Sequence, residues 1–370
     1  MGYLHLLLIG IEMGFFGAWV YLFHRLYRYA DRQTPQWEGP WPEVSVLVAA
    51  RNEASNLPRC LDALQQLDYP PDRMTVWVGN DQSEDDTGAI ARQYAAVDTR
   101  FRAVDIQDNM GKARGKANVL AQLAQQSNGG YIMICDADIR VNKKWIQNML
   151  AWHQHQSLDA VTGTTVGAGY GDLWSELQVG EWLYYMSIFK TLDTMGHSTA
   201  MGNNMSITRE AYEALGGYES IPFSVTEDYA LYRELIRYGY RHQVVYQAGV
   251  RNFSAPLPNY LGLLHQKRRW ARGAAQLPWR IKRLMILHAL FFPALVVHAV
   301  WRSPFEALAL FGLFVCSTQL VLRFGRRHIS CAMSRPARWL FPLHLGIIQL
   351  IGPPFALFQP KVLWKGRRYT

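Results

Sequence analysis

The sequence predicts an α/β domain built on a mostly parallel sheet, with membrane-crossing helices at both ends. Three observations carry this. Short β-branched runs alternate with helical stretches between residues 44 and 138. Polar clusters close several of those runs, and long apolar stretches flank the whole region. Composition agrees: 49% of the 370 residues are apolar and only 18% charged, which excludes disorder. A mean hydropathy of −0.10 excludes a protein made wholly of spans.

The first strand is Val44–Ala50 (VSVLVAA), followed by a helix over Asn56–Leu67. Thr75–Val78 is the second strand, Gly88–Ala95 a helix and Phe101–Val104 the third strand. Lys116–Gln126 reads as helix, and Tyr131–Cys135 as a buried strand running into Asp136-Ala137-Asp138. Strands alternating with helices imply parallel pairing, and ligands then bind at the carboxyl ends of the strands. Arg51-Asn52-Glu53, Asn80-Asp81 and Asp136-Ala137-Asp138 all fall at such ends.

Charge is unevenly divided. The net charge is +9, yet residues 241–370 hold 19 basic side chains and one acid, Glu306, while residues 1–240 are acidic overall. Such a basic half meets a phosphate-rich partner, either nucleic acid or a membrane face. Hydropathy selects the membrane. Leu4–Phe23 has the length of a span and is broken only by His5 and Glu12. Without a small-residue cleavage site it reads as a retained anchor rather than a signal peptide. Arg25, Arg28 and Arg32 after it place the following domain in the cytosol.

Leu284–Val300 and Phe305–Leu322 form a helical hairpin through Trp301-Arg302-Ser303-Pro304. Arg323, Arg326, Arg327, Arg335 and Arg338 mark the return to the cytosol. Leu340–Phe358 is a third span or a re-entrant segment broken at Gly352-Pro353-Pro354, because its tail (Lys361, Lys365, Arg367, Arg368) is basic again. Leu257–Arg283, interrupted by prolines, reads as amphipathic surface helices. The expected organisation is an anchor (1–30), a cytosolic domain (40–255), interface helices (256–283) and a C-terminal membrane region (284–370). Against it stands a soluble protein with four apolar core helices.

Several side chains are suited to chemistry. Two carboxylates one residue apart after a buried strand present oxygens to Mg²⁺ or Mn²⁺, which complete their shell with substrate phosphates. Acidic turn pairs are common, so the neighbours matter. Asn80–Thr87 resembles a D-D-x-S-x-D-x-T turn with Asn first, and Lys116 suits a diphosphate, although a lysine at a helix start is often only solvated. Glu227 and Asp228 supply a general base if one meets an acceptor hydroxyl, or merely fill the first turn of a helix capped by Thr226. Gln266-Lys267-Arg268-Arg269-Trp270 can hold a pyrophosphate and stack on a ring, or form a basic interfacial helix.

Taken in order, Ala50-Arg51-Asn52-Glu53, Asp81, Lys116-Ala117-Asn118, Asp136-x-Asp138, Gly202-Asn203-Asn204-Met205, Glu227-Asp228 and Gln266-x-x-Arg269-Trp270 resemble the family 2 glycosyltransferases. The likeness is to the membrane-embedded branch that includes cellulose and hyaluronan synthases and ceramide glucosyltransferases, and it covers roughly residues 40–275. The C-terminal Trp364-Lys365-Gly366-Arg367-Arg368-Tyr369 is similar to a tail of that branch. Asn80 departs from the pattern, which usually carries a carboxylate there; Asp81 matches the more critical position.

The resemblance implies a GT-A, Rossmann-like domain and a metal-dependent inverting transfer from a nucleotide-sugar, UDP-linked, to a hydroxyl. In that reading Asp81, with backbone near Ala50 and Glu53, holds the nucleoside and Lys116 approaches the nucleotide. Asp136 contacts the nucleotide and Asp138 binds the metal. Asp228 deprotonates the acceptor, while Gln266, Arg269 and Trp270 close over the diphosphate. Asn203, Asn204, Glu227 and His197 are weaker candidates for sugar or acceptor contacts.

Other features point to packing. Cys60, Cys135, Cys316 and Cys331 lack metal-ligand spacing, and a cytosolic domain argues against disulfides. His153 and His155 read as helix caps rather than zinc ligands, and Trp174, Trp182, Tyr184 and Tyr185 as a core cluster or an acceptor stack. Three functions remain: single transfer to a lipid or lipid-linked acceptor, processive polysaccharide synthesis, and non-catalytic binding of nucleotide or nucleic acid at a membrane. Three C-terminal apolar stretches are few for a polymer channel, which favours single transfer.

Overall fold

The computed structural model describes residues 2–29, 34–197, 199–274, 276–358, 362–364 and 367–369. In chain order the first elements are α1 (Gly2–Tyr29), β1 (Val44–Ala50), α2 (Leu57–Gln65), β2 (Met74–Asn80), α3 (Thr87–Val97), β3 (Phe101–Asp105) and α4 (Lys116–Gln126). Then come β4 (Tyr131–Asp136), β5 (Ile139–Arg140), α5 (Trp145–Gln156), β6 (Ala160–Thr162), β7 (Thr165–Gly167), α6 (Leu173–Asp193), β8 (Asn204–Thr208), α7 (Arg209–Ala214), α8 (Gly217–Ser220) and α9 (Glu227–Arg237). The chain ends with β9 (His242–Val244), β10 (Asn252–Ser254), α10 (Tyr260–Ala274), α11 (Trp279–Trp301), α12 (Pro304–Ile329), α13 (Arg335–Phe358), β11 (Val362–Trp364) and β12 (Arg367–Tyr369). These elements fall into two compact units, one of residues 31–166 and 198–255, the other of 1–30, 167–197 and 256–370.

The first unit carries a seven-stranded sheet in the order β3-β2-β1-β4-β8-β6-β9. β3, β2, β1 and β4 are mutually parallel, β8 runs antiparallel to β4 and β6, and β9 is parallel to β6. β1 is internal to the sheet and buried on both faces, as its unbroken VSVLVAA run requires. Val46, Val48, Leu57, Leu61, Leu64, Val76, Met133 and Trp145 belong to one core. Gly79 lets α4 approach, since a Cβ there would lie 2.3 Å from Val119 Cγ1. In register, Ala50 lies beside Asn80 and Ala49 beside Asp136, so the ends of β1, β2 and β4 form one edge.

His153 differs from its reading as a cap. It is buried in α5, with Nδ1 2.7 Å from Leu158 O and Nε2 2.7 Å from Ser206 Oγ, tying the helix to β8. Burial holds its imidazole low, to a pKa of about 4, so it stays neutral.

The second unit is helical. Four of its helices are long and apolar enough to cross a membrane: His5–Arg28, Trp279–Trp301, Pro304–Ile329 and Arg335–Ala356. Leu6, Met13, Val20, Phe305, Leu313, Leu343 and Ile347 remain exposed on them, as lipid-facing side chains would. Phe15 stacks on Phe291 at 4.0 Å between ring centres, and Phe292 meets Phe314 edge-on at 4.9 Å. The turn from α11 to α12 is capped: Ser303 Oγ accepts the Glu306 N–H at 3.2 Å, with Pro304 opening the helix. No break occurs in α13, which runs continuously through Pro342, Pro353 and Pro354. Pro258 and Pro278 bracket α10, and residues 279–283 form the first turn of α11.

Polar groups inside this unit are paired. Glu12, on α1, meets His298 Nδ1 at 2.9 Å, and His298 Nε2 meets Glu306 at 3.0 Å. Lys267 Nζ stands 2.5 Å from Glu181 Oε2, whose other oxygen lies 2.7 Å from His344 Nε2. At the C-terminus β11 pairs antiparallel with β12. Arg32, Lys361, Lys365 and Gly366, named above as flank and tail, lie outside the described residues.

Candidate active site

The ends of β1 and β2 are clasped into one loop pair. Asp81 N–H donates to Ala50 O at 2.9 Å, and Arg51 Nη1 donates to Asp81 O at 2.5 Å and Gln82 O at 3.1 Å. Glu53 N–H donates to Thr87 Oγ1 at 2.8 Å, and Ala54 N–H to Asp85 Oδ2 at 3.0 Å. Asn52 and Gln82 adopt left-handed backbone at φ 50° and 52°, which turns both strand ends back upon each other. Ala50, Glu53 and Asp81 are thereby buried at this edge. The turn that begins at Asn80 uses Ser83, Asp85 and Thr87 to build the clasp.

Asn80 has a specific neighbour. Its Nδ2 donates to Asp105 Oδ1 at 2.7 Å, and Arg92 Nη1 binds Asp105 Oδ2 at 3.0 Å. An amide can donate to that carboxylate where an ionised acid would oppose it.

The acidic part of the site forms around Lys116. Its Nζ lies 2.5 Å from Asp136 Oδ1 and 2.8 Å from Glu227 Oε1, and 3.4 Å from Gly202 O. Burial opposes its charge, but the carboxylates of Asp136, Glu227 and Asp228 outweigh burial and keep Lys116 protonated. Gly202 N–H donates to Asp228 Oδ2 at 2.8 Å, and Tyr229 N–H to Asp228 Oδ1 at 2.8 Å. A Cβ on Gly202 would lie 3.0 Å from Lys116 Nζ and 3.1 Å from Glu227 Oε1, so any larger residue crowds these two side-chain ends.

Thr226 makes no side-chain cap at the start of α9. The two first-turn acids engage Lys116 and Gly202 instead of serving only the helix end. Burial, then the charge of Glu227, raise the Asp228 pKa to about 6, although Lys116 and the two amides pull it down. A carboxylate with that proton affinity is suited to accepting a proton near neutral pH.

Asp138 lies beyond β4, and its Oδ2 accepts from Ser254 Oγ at 3.4 Å. Its carbonyl accepts from Arg59 Nη2 at 2.9 Å. Among the described residues no group of three or more His, Cys, Asp or Glu forms a cage for a metal. Asp136 and Asp138 are oxygen donors of the type a hard divalent cation takes together with phosphates, and Asp136 Oδ1 is engaged by Lys116.

Other candidates separate from this cluster. Asn203 Oδ1 accepts from Thr165 Oγ1 at 3.0 Å. Asn204, a weaker candidate for a sugar or acceptor contact, holds the sheet unit together. It is fully buried, accepts from Trp145 Nε1 at 2.8 Å, and donates to Thr164 O and Val250 O at 2.9 Å. His197 follows α6 in the helical unit, where its N–H donates to Leu192 O at 2.9 Å. Gln266, Arg269 and Trp270 lie on α10, and Trp270 packs edge-on against Trp182 and Tyr185. Lys267, between them in sequence, sits 4.2 Å from the Tyr185 ring centre and 4.3 Å from that of Trp270.

Arg51 and Thr87 escaped the sequence reading as structural members of the clasp. Tyr218, which follows Gly216-Gly217 in the motif order, had no role assigned from sequence: it is buried, and its hydroxyl has no hydrogen-bond partner among the described residues. Burial and the charge of Glu227 push its pKa well up, so it remains a neutral donor. The signal was the Gly216-Gly217 pair, both at positive φ, that precedes it.

A sheet of this order, with its acids along the carboxyl edge, is of the GT-A class. The structure of a mannosyltransferase from Pyrobaculum calidifontis, solved in complex with GDP-Man and Mn²⁺, matches 94% of this chain and 99% of that one, with a TM-score of 0.59 at 20% identity. The chain belongs to glycosyl transferase family 21, whose model matches residues 7–370. Its motifs resemble family 2, but family 21 is the model that spans the chain.

A beta-monoglucosyldiacylglycerol synthase of Synechocystis sp. is 27% identical over 241 residues, 64% of this chain and 49% of that protein. A poly-beta-1,6-N-acetyl-D-glucosamine synthase of Staphylococcus aureus is 26% identical over 264 residues, 70% of this chain and 61% of that protein. The chain spans about half the length of the first of these relatives.

Proposed function

We propose that this chain is an inverting glycosyltransferase that moves one sugar from a UDP-linked nucleotide-sugar to a hydroxyl of a membrane lipid. The observation that carries the reading is Asp228. Its carboxylate is oriented by two backbone amides and has a pKa raised to about 6, beside the acids at the end of β4. Membership in family 21 supports the reaction class, and the name of the Synechocystis relative supports a lipid acceptor.

In the proposed reaction Asp228 takes the proton of the acceptor hydroxyl as its oxygen attacks the anomeric carbon. The bond from that carbon to the diphosphate breaks, and the electron pair leaves with the nucleoside diphosphate. One in-line displacement inverts the configuration and needs a single base. Asp81 and the backbone at Ala50 and Glu53 hold the nucleoside, and Asp136 contacts the nucleotide. Lys116 neutralises Asp136 and Glu227, so that Asp228 stays ionisable near neutral pH. Bound at Asp138, Mg²⁺ or Mn²⁺ would supply charge neutralisation for the departing diphosphate. The four apolar helices hold the chain in the membrane with the sheet unit in the cytosol, following the basic flank after α1.

The name of the Staphylococcus relative favours a second reading, processive synthesis. One assay separates the two. Purified chain in detergent is given a panel of nucleotide-sugars and lipid extract, and the organic phase is analysed by mass. A lipid carrying one added sugar supports the proposal. A ladder of polymer lengths supports the second reading, and no transfer from any donor overturns both.

A further inference from the structure

The last turns of α12 and the first turn of α13 enclose a pocket of about 420 Å³ lined by Gln319, Arg323, Arg326, Arg327 and Arg338. Gln319 Nε2 donates to Arg338 O at 2.7 Å, which fixes the two helices across it. Among the described residues no carboxylate lines this pocket. The one acid of residues 241–370, Glu306, is engaged by Arg302 and His298 at the other end of α12. Arg326 Nε is buried without a hydrogen-bond partner among the described residues.

Arginines at the C-terminal end of α12 complement the helix dipole and need no ligand. Arg338 is different: it stands at the N-terminal end of α13, where the dipole disfavours a cation and favours an anion. Glu176 of α6 is held by Ser334 just before α13, and the Ser334 carbonyl accepts from Arg338 Nε at 3.3 Å, but Glu176 does not line the pocket. Four guanidinium groups lining one pocket repel one another unless an anion joins them. Arginine forks match phosphate oxygens two at a time.

Position selects the source of the phosphate. Both helices are candidate spans, and the pocket lies where they end. Trp339 and Leu340 follow Arg338 directly and are 65% and 41% exposed, the pattern of a side chain at the headgroup level with acyl chains beneath. We propose that this pocket binds the phosphate of an anionic phospholipid headgroup. The pocket shares no residue with the acidic cluster around Lys116, and its occupancy is measured without reference to transferase activity.

The test uses the full chain purified in detergent and short-chain lipids of equal length. Phosphatidylglycerol should raise the melting temperature and be retained in native mass spectra, while phosphatidylcholine and inorganic phosphate should do neither. Arg326→Gln with Arg338→Gln should weaken phosphatidylglycerol binding about tenfold or more, with the unliganded melting temperature retained. If that pair fails to fold, the exposed Arg323→Gln and Arg327→Gln pair should show the same loss. Equal binding of the two lipids, unchanged binding by a folded variant, or inorganic phosphate binding as tightly as the lipid would each overturn the proposal.

Discussion

The Gly202 amide donates to Asp228 Oδ2 at 2.8 Å, and this bond joins the loop before β8 to the first turn of α9. It orients one carboxylate oxygen while Lys116 balances the neighbouring acids. The site therefore holds an excess of carboxylates over cations, and the proton affinity of Asp228 rises.

The rate should follow the ionisation of Asp228. A base works deprotonated, so kcat/KM falls as pH drops through about 6 and is flat above it until another group intervenes. Lys116→Met removes the cation that pulls this pKa down, so the acid limb must move to higher pH. A pH–rate profile of the two proteins measures the shift, and a limb left in place would detach Lys116 from Asp228.

Gly202→Ala places a methyl 3.0 Å from Lys116 Nζ and 3.3 Å from Asp228 Cβ. The neighbours must move by tenths of an ångström, enough to misalign a base. Turnover should fall about tenfold or more while the melting temperature changes little, because the crowded atoms include side-chain ends. Parallel turnover and calorimetry measurements check this.

Asn80→Asp restores the acid usual at its position but replaces a donated hydrogen bond with repulsion from Asp105. Arg92 offsets part of it. The expected cost is about 1 kcal/mol or less, shrinking as salt is added, since the pair is exposed. Thermal unfolding at low and high salt reads both features.

Thorough chelation should abolish transfer, with Mg²⁺ or Mn²⁺ restoring it. Asp138→Asn should raise the metal concentration needed for half-maximal rate by about tenfold or more. Turnover that survives chelation would remove the metal role from Asp138.

Much of the sheet unit was legible because its strands announce themselves locally. The β-branched runs end at Ala50, Asn80 and Asp136, and the polar residues that follow are those of the carboxyl edge. Lys116, Asp136, Glu227 and Asp228 carried their chemistry in residue type, so motif order sufficed to nominate them. Pairings across long separations were not legible. Asn204 reads as a polar residue in a motif, yet its amide is committed to Trp145, 59 residues away, and to the Val250 carbonyl, 46 away. Glu12 and His298 meet across 286 residues, and neither signals the other. Likewise α6 falls within the expected cytosolic stretch 40–255, but residues 167–197 group with the hydrophobic helices.

The most direct measurement is single-turnover transfer by Asp228→Asn beside a nucleotide-binding titration and a melting curve. The folded pKa of Asp228, about 6, lies above its ordinary value, so its ionised form costs stability at neutral pH and that cost disappears as pH falls below its unfolded pKa. The variant exchanges that charge cost for the loss of one of the two amide bonds, so it should stay folded, keep nucleotide affinity, and transfer about 10²–10⁴-fold more slowly. An unchanged transfer rate in a folded, nucleotide-binding variant would contradict the assignment of Asp228 as the base.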